Sequence, residues 1–226
     1  MQVELLYYTP SPERAVATAA RLCYAPVGAS ELMESLSDEQ IRKVLTTILA
    51  GGHLSTLEHA SYTFAIDGVS RALTHQLVRH RLASFNQQSQ RYVAFSDGLD
   101  TIKPASIAEN EDANRLFDEM IERTVDAYKA FLEMGVPAED ARYILPNAAE
   151  TKIVVTMNIR ELLHFFSLRC CNRAQWEIRD LAWKMLELVR PTAPFIFADA
   201  GPGCVRGACP EGKMTCGTPY ERVTRS

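Results

Sequence analysis

The chain has 226 residues, 47% hydrophobic and 23% charged, enough to bury a core with an ordinary globular balance. Its formal net charge of −4 argues against a general nucleic-acid binder, whose surface would be basic. No apolar run approaches the roughly 20 residues that span a bilayer, and the N-terminus lacks the basic-then-apolar pattern of a signal peptide. The expectation is a cytoplasmic protein with no membrane association, whose six cysteines start as thiols.

Residues 3–8 read as a strand. Ser11 and Pro12 start a helix, with Ser at the N-cap and Pro at the first helical position, that runs to about residue 23. Ser37-Asp38-Glu39-Gln40 has the capping-box pattern, and Gly51-Gly52 ends the helix behind it. Residues 61–66 alternate, with Tyr62, Phe64 and Ile66 on one face of a half-buried strand. A helix over 70–82 follows. Residues 111–134 form the longest helix, with Leu116, Met120, Tyr128 and Phe131 among its buried positions, and Gly135 stops it. Pro137 starts a short helix that ends near Pro146. Residues 152–157 are β-branched and extended; 161–170 and 174–189 are helical.

Strands separated by helices, without a βαβ rhythm, indicate an α+β fold with a mixed or antiparallel sheet flanked by long helices. One domain is expected over 1–200. An irregular Cys-containing tail follows over 201–226. No G-x-G-x-x-G is present, so a Rossmann cofactor site is not indicated.

Residues 68–96 contain no Asp, Glu or Lys, yet carry Arg71, Arg79, Arg81, Arg91, His75 and His80. On one helix Arg71, His75 and Arg79 would stack at i, i+4 and i+8, and Gln76 and His80 would form an adjacent row. Val69, Leu73 and Leu77 form the apolar row opposite. Arginine forks match phosphate, and no acid lies nearby in sequence to pair with them. The run from Ser84 to Tyr92 adds short neutral donors and acceptors of the kind that read sugars and base edges. The combination suits a single bound nucleotide; the bland alternative is a solvated face followed by a polar loop. Arg169 is a second signal. It shares an apolar stripe with Leu162 and Phe166, and an arginine on a buried face needs an anionic or carbonyl partner. A salt bridge to an acid such as Glu177 is the plain alternative.

Residues Arg79 to Tyr92 match R-H-R-x-x-S-x-N-x-x-S-x-R-Y at all eight fixed positions. This resembles the signature of the flavin-dependent thymidylate synthases. The segment Gly52-His53-Leu54-Ser55-Thr56-Leu57-Glu58-His59 is similar to that family's G-H-x-[ST]-x-x-E-H stretch. Ala141-Arg142-Tyr143-Ile144-Leu145-Pro146 resembles its A-R-x-x-L-P element. Asn158-Ile159-Arg160 resembles its N-x-R step, and Ala174-Gln175-Trp176-Glu177-Ile178 its A-Q-W-E-I element.

The resemblance implies reductive methylation of dUMP to dTMP. The carbon comes from 5,10-methylenetetrahydrofolate, the hydride from reduced FAD, and NADPH restores the flavin. It assigns Gln76, Arg79, Gln87, Gln88, Ser89, Gln90, Arg91, Arg142 and Arg169 to dUMP. Ser55, Glu58, Arg79, His80, Arg81, Gln87, Asn158, Arg160 and His164 fall to FAD. Arg169 is the catalytic group, set against the uracil to favour ionisation at N3. A homotetramer with sites at subunit interfaces is implied too.

An enzyme nucleophile is not expected. Cys23 sits in an apolar helix, Cys170 and Cys171 match no family nucleophile position, and Ser89 has no obvious base among its neighbours in sequence. No metal is expected either, because Cys204-x4-Cys209-x6-Cys216 lacks a fourth ligand. Thiols in a mobile tail are the simpler reading.

Overall fold

The computed structural model describes residues 1–93 and 98–221. The last residues of the acid-free stretch and the end of the tail lie outside them. Strand β1 (Gln2–Tyr8) and helix α1 (Pro12–Leu22) follow the sequence pattern. The turn between them does not. Ser11 takes a left-handed conformation (φ 47°, ψ 59°) and its side chain makes no capping bond. That backbone costs a non-glycine residue about 1–2 kcal/mol. Pro12 starts the helix unaided, because its missing N–H needs no partner there.

Helix α2 (Ala29–Ser35) carried no capping signal, and Gly28 precedes it without a side-chain bond. Helix α3 (Asp38–Ala50) has the expected reciprocal cap: Ser37 Oγ accepts the Gln40 N–H and Gln40 Oε1 accepts the Ser37 N–H. After a 3₁₀ segment (Leu54–His59), strand β2 (Ser61–Ser70) runs four residues beyond the alternating pattern. Gly68 inside it has φ +69°, and a Cβ there would sit 3.2 Å from the Met1 nitrogen.

Helix α4 (Arg71–Leu77) is shorter than expected. Ser70 caps it, accepting the Leu73 N–H at 3.0 Å. The chain then leaves helix at Val78, and Ala83–Gln87 is strand β3 rather than loop. The expected rows of Arg71, His75 and Arg79, and of Gln76 and His80, are therefore broken after Leu77. The helical period persists in the sequence past Leu77, but the backbone leaves the helix there and His80 is buried.

Helices α5 (Ala105–Ala108), α6 (Glu111–Glu133) and α7 (Ala138–Ala141), a 3₁₀ turn (Arg142–Ile144), strand β4 (Glu150–Asn158) and helices α8 (Ile159–Arg169) and α9 (Trp176–Val189) complete the order, before two 3₁₀ turns in the tail. The four strands form one antiparallel sheet in the order β1-β2-β4-β3, which makes the fold α+β.

The chain divides into two compact units. The first holds Met1–Gln2, Ile66–Arg79 and Asn86–Ile153. Within it α6 packs against α5, α7 and the turn at Arg142. Of the four α6 residues expected inside, only Tyr128 is buried; Leu116 is 59%, Met120 43% and Phe131 36% exposed. A 3.6-residue period announces an apolar face, but not whether the same chain covers it.

The second unit holds Val3–Ala65, His80–Phe85 and the residues from Val154 onward. Its core joins Tyr62, Phe64, Phe165, Phe166 and Phe197, all fully buried. The Tyr62 hydroxyl meets Thr192 Oγ1 at 2.9 Å, and burial pushes its pKa up to about 12. The tail is anchored here as far as Tyr220. Tyr220 Oη donates to Asn172 Oδ1 at 2.8 Å, and its ring lies 5.3 Å from Trp183. Arg173 donates to the Met214 carbonyl, and Cys204 is buried. Removing residues 211–226 is expected to cost about 1–2 kcal/mol, a drop of roughly 2–8 °C in Tm. A thermal melt of the truncated and full-length proteins checks this, and an unchanged Tm would refute the anchoring.

Candidate active site

Helix α8 organises the second unit's cluster. Asn158 Oδ1 accepts the Glu161 N–H at 2.9 Å and so caps the helix. Glu161, Phe165 and Arg169 recur at i, i+4 and i+8, on one row of its surface. Eight residues separate Glu161 from Arg169, a rise of about 12 Å along the helix axis between their backbones. His80 fills that space. Its ring lies edge-on to Phe165, with centroids 5.0 Å apart and planes at 80°. Nδ1 is 3.0 Å from Glu161 Oε1, and Nε2 is 3.1 Å from Arg169 Nε.

This geometry assigns the proton. An arginine Nε only donates, so Nε2 of His80 is the acceptor and Nδ1 carries the hydrogen given to Glu161. Burial pushes His80 below the usual histidine range, against the pull of its Glu161 hydrogen bond, and Arg169 and His164 push it the same way as burial. His80 is thus a neutral link between a carboxylate and a guanidinium. His80, Glu161 and His164 bring possible metal-ligating atoms within 4.8 Å, but both His80 nitrogens are already used. The cluster is better read as a hydrogen-bonded chain than as a metal site.

Beside it opens a cleft of about 770 Å³, walled by Leu54, Leu57 and Leu82, with Arg160, His164 and Arg206 supplying polar groups. Its size and mixed lining suit a cofactor. Arg160 and His164 are expected flavin contacts, and Arg160 pairs with a third, Glu58, at 2.5 Å. Ser55 and Arg81 are exposed and do not line the cleft. Two of the cysteines weighed as nucleophiles lack the features of one. Burial pushes the Cys170 thiol up to about 12. Cys23 lies just past α1 and is exposed, not inside an apolar helix.

The first unit carries a separate polar cluster. Gln87 Nε2 donates to the Thr74 and Thr151 hydroxyls, at 3.1 and 3.2 Å. The Gln88 N–H goes to the Lys152 carbonyl, and Ser89 Oγ accepts the Arg91 N–H at 3.1 Å. Gln90 is buried, Gln76 half-buried and Arg79 exposed. Arg91 reaches Glu139 Oε2 through Nε at 2.8 Å and Nη2 at 2.7 Å. Arg142 Nε donates to the Glu139 carbonyl at 3.0 Å. An acid-free neighbourhood in sequence therefore did not leave Arg91 without an acid, because α7 brings one 48 residues further on. Arg71 is pushed below its usual range by burial and then by repulsion from Arg142. A bound anion would relieve that repulsion.

The family model described as thymidylate synthase complementing protein matches residues 4–195. A protein of Geobacter sulfurreducens named flavin-dependent thymidylate synthase is 60% identical over 222 residues, covering 98% of this chain and 96% of that one. The chain belongs to the flavin-dependent thymidylate synthase family. A Pyrococcus furiosus protein of the same name is 45% identical, covering 93% and 90% of the two chains. Among solved structures, the UMP/dUMP methylase PolB from Streptomyces cacaoi, bound with 5-Br dUMP, superposes with a TM-score of 0.73. It is 26% identical and covers 87% of this chain and 93% of its own.

Family motifs led to most of these residues but not to Glu161, Glu139, Thr74 or Arg71. Glu161 had a readable signal, an acid two turns before Arg169 on one helical row. Arg71 had one too, as part of the acid-free stretch, but Thr74 and Glu139 did not, since they gain their roles through partners distant in sequence.

Proposed function

We propose that this protein converts dUMP to dTMP as a flavin-dependent thymidylate synthase. The observation that carries the proposal is Arg169, held by its Nε to a neutral, buried His80 in a chain of this family. Held so, its guanidinium can stabilise negative charge that develops on the uracil and makes C5 nucleophilic. Arg79, Arg91 and Arg142 take the phosphate, while Gln76, Gln87, Gln88, Ser89 and Gln90 supply neutral contacts to sugar and base. The donor set of the cleft fits a flavin: Arg160 and His164 for its polar parts and leucines for its ring; Ser55, Glu58, His80, Arg81 and Asn158, which do not line it, are flavin contacts by family resemblance only. When bound, reduced FAD supplies the hydride that completes the methyl group delivered by 5,10-methylenetetrahydrofolate, and NADPH restores it. The chain itself binds, orients and polarises.

A homotetramer with active sites at subunit interfaces, as the family resemblance implies, is part of this reading. The open α6 face of Leu116, Met120, Phe131 and Met134 is of the kind that a second copy covers. No helix among the described residues is long and apolar enough to cross a membrane, and the reaction is assigned to the cytoplasm.

The test is anaerobic. Protein, FAD and NADPH are mixed and flavin absorbance followed with and without dUMP. The expected result is protein-dependent bleaching that responds to dUMP, then reoxidation and dTMP on adding methylenetetrahydrofolate. Flavin that neither binds nor bleaches would end the proposal.

A further inference from the structure

We infer that Glu161 is a positioning residue for the nucleotide site: acting through His80, it sets the direction in which the Arg169 guanidinium faces. The inference rests on the reading of Arg169 as the uracil-polarising group. Glu161 is 4% exposed, and His80 bridges it to Arg169, with Nδ1 on Glu161 Oε1 and Nε2 on Arg169 Nε.

A carboxylate is an acceptor only, so it selects the imidazole form with hydrogen on Nδ1. That choice leaves the Nε2 lone pair facing Arg169 Nε. The opposite tautomer would set two N–H groups against each other and push the guanidinium away. Arginine is planar, so anchoring Nε also orients the plane of both Nη groups. Phe165 packs edge-on against the ring, and the Asn158 cap holds the backbone of Glu161. Each member of the chain is thus fixed by something other than a ligand.

Glu161→Gln separates this role from packing. Glutamine keeps the shape, but its amide can donate to Nδ1 and so permits the wrong tautomer. The first arm is a double-mutant cycle on dUMP affinity, read from the flavin spectrum. Glu161→Gln is expected to weaken dUMP about tenfold in the native background and less than about twofold in an Arg169→Ala background. In native enzyme kcat should also fall, by about a hundredfold, the scale of a small misplacement at the chemistry. Glu161→Asp, which restores a carboxylate, should recover part of both losses. Equal losses in both backgrounds would show a merely structural role and overturn the inference.

The second arm needs neither dUMP nor a variant that folds. Histidine ¹⁵N spectra of the ligand-free protein should show His80 protonated on Nδ1; hydrogen on Nε2 would also overturn the inference. If the native protein fails to bind dUMP, the synthase reading falls, while this arm still decides whether Glu161 directs Arg169 through His80.

Discussion

Replacing Arg169 with alanine should lower kcat for dTMP formation by about 10²–10³-fold, the loss typical of removing one preorganised donor aimed at developing charge. Arg169 ends α8 at its C-terminus, where a cation is favoured by the helix dipole. Its Nε is committed to His80 at 3.1 Å, so the guanidinium is oriented before substrate arrives. Lysine should not rescue. An ammonium is a point charge on a flexible stem, and it cannot hold His80 while presenting a planar fork. Alanine also strips Nε2 of its donor, with an expected stability cost of about 1–3 kcal/mol where water does not replace it. The measurement is single-turnover dTMP formation by pre-reduced enzyme, with Tm recorded in parallel. A rate within about tenfold of native would remove Arg169 from the chemistry.

Arg142→Ala should weaken dUMP binding by about 2–3 kcal/mol, or roughly 30–160-fold, as expected when a charge-assisted contact to an anion is lost. Deoxyuridine, which lacks the phosphate, should bind both proteins equally. Arg142 is half-buried and oriented by the Glu139 carbonyl, and Arg71 is destabilised as a cation by its neighbour Arg142, a repulsion that a bound anion would lower. Arg91→Ala should cost less, because Arg91 must first leave the Glu139 carboxylate and that loss offsets part of the gain. Titration by calorimetry at two ionic strengths checks both statements. Equal losses for dUMP and deoxyuridine would mean that Arg142 serves the fold rather than the phosphate.

The pairing of Arg91 with Glu139 also bears on specificity. A site whose arginine is already occupied favours ligands that can displace a carboxylate, such as a phosphate bearing up to two charges.

Local features were legible in the sequence wherever they depend on neighbours along the chain. The capping box at Ser37 and Gln40, the alternation of Tyr62, Phe64 and Ile66, the stop at Gly135 and the signature from Arg79 to Tyr92 are all short-range statements, and the first three hold in the structure. The α+β class followed from the order of such elements. So did the family, because eight fixed positions in fourteen residues are specific without any fold.

Partners that close across long separations became visible only once the chain was folded. α4 stops at Leu77, and His80 meets Glu161, 81 residues away; helical periodicity could not register either. The α6 face of Leu116, Met120 and Phe131 is apolar yet exposed, since periodicity reports a face and not what covers it. Arg91 acquires Glu139 only when α7 is in place. The order of amino acids is enough to say which chemistry-bearing residues the protein has, and which helix or strand carries most of them. Which of them meet is settled by folding, because hydrogen bonds and ion pairs form over about 3 Å of space, however many residues of chain lie between.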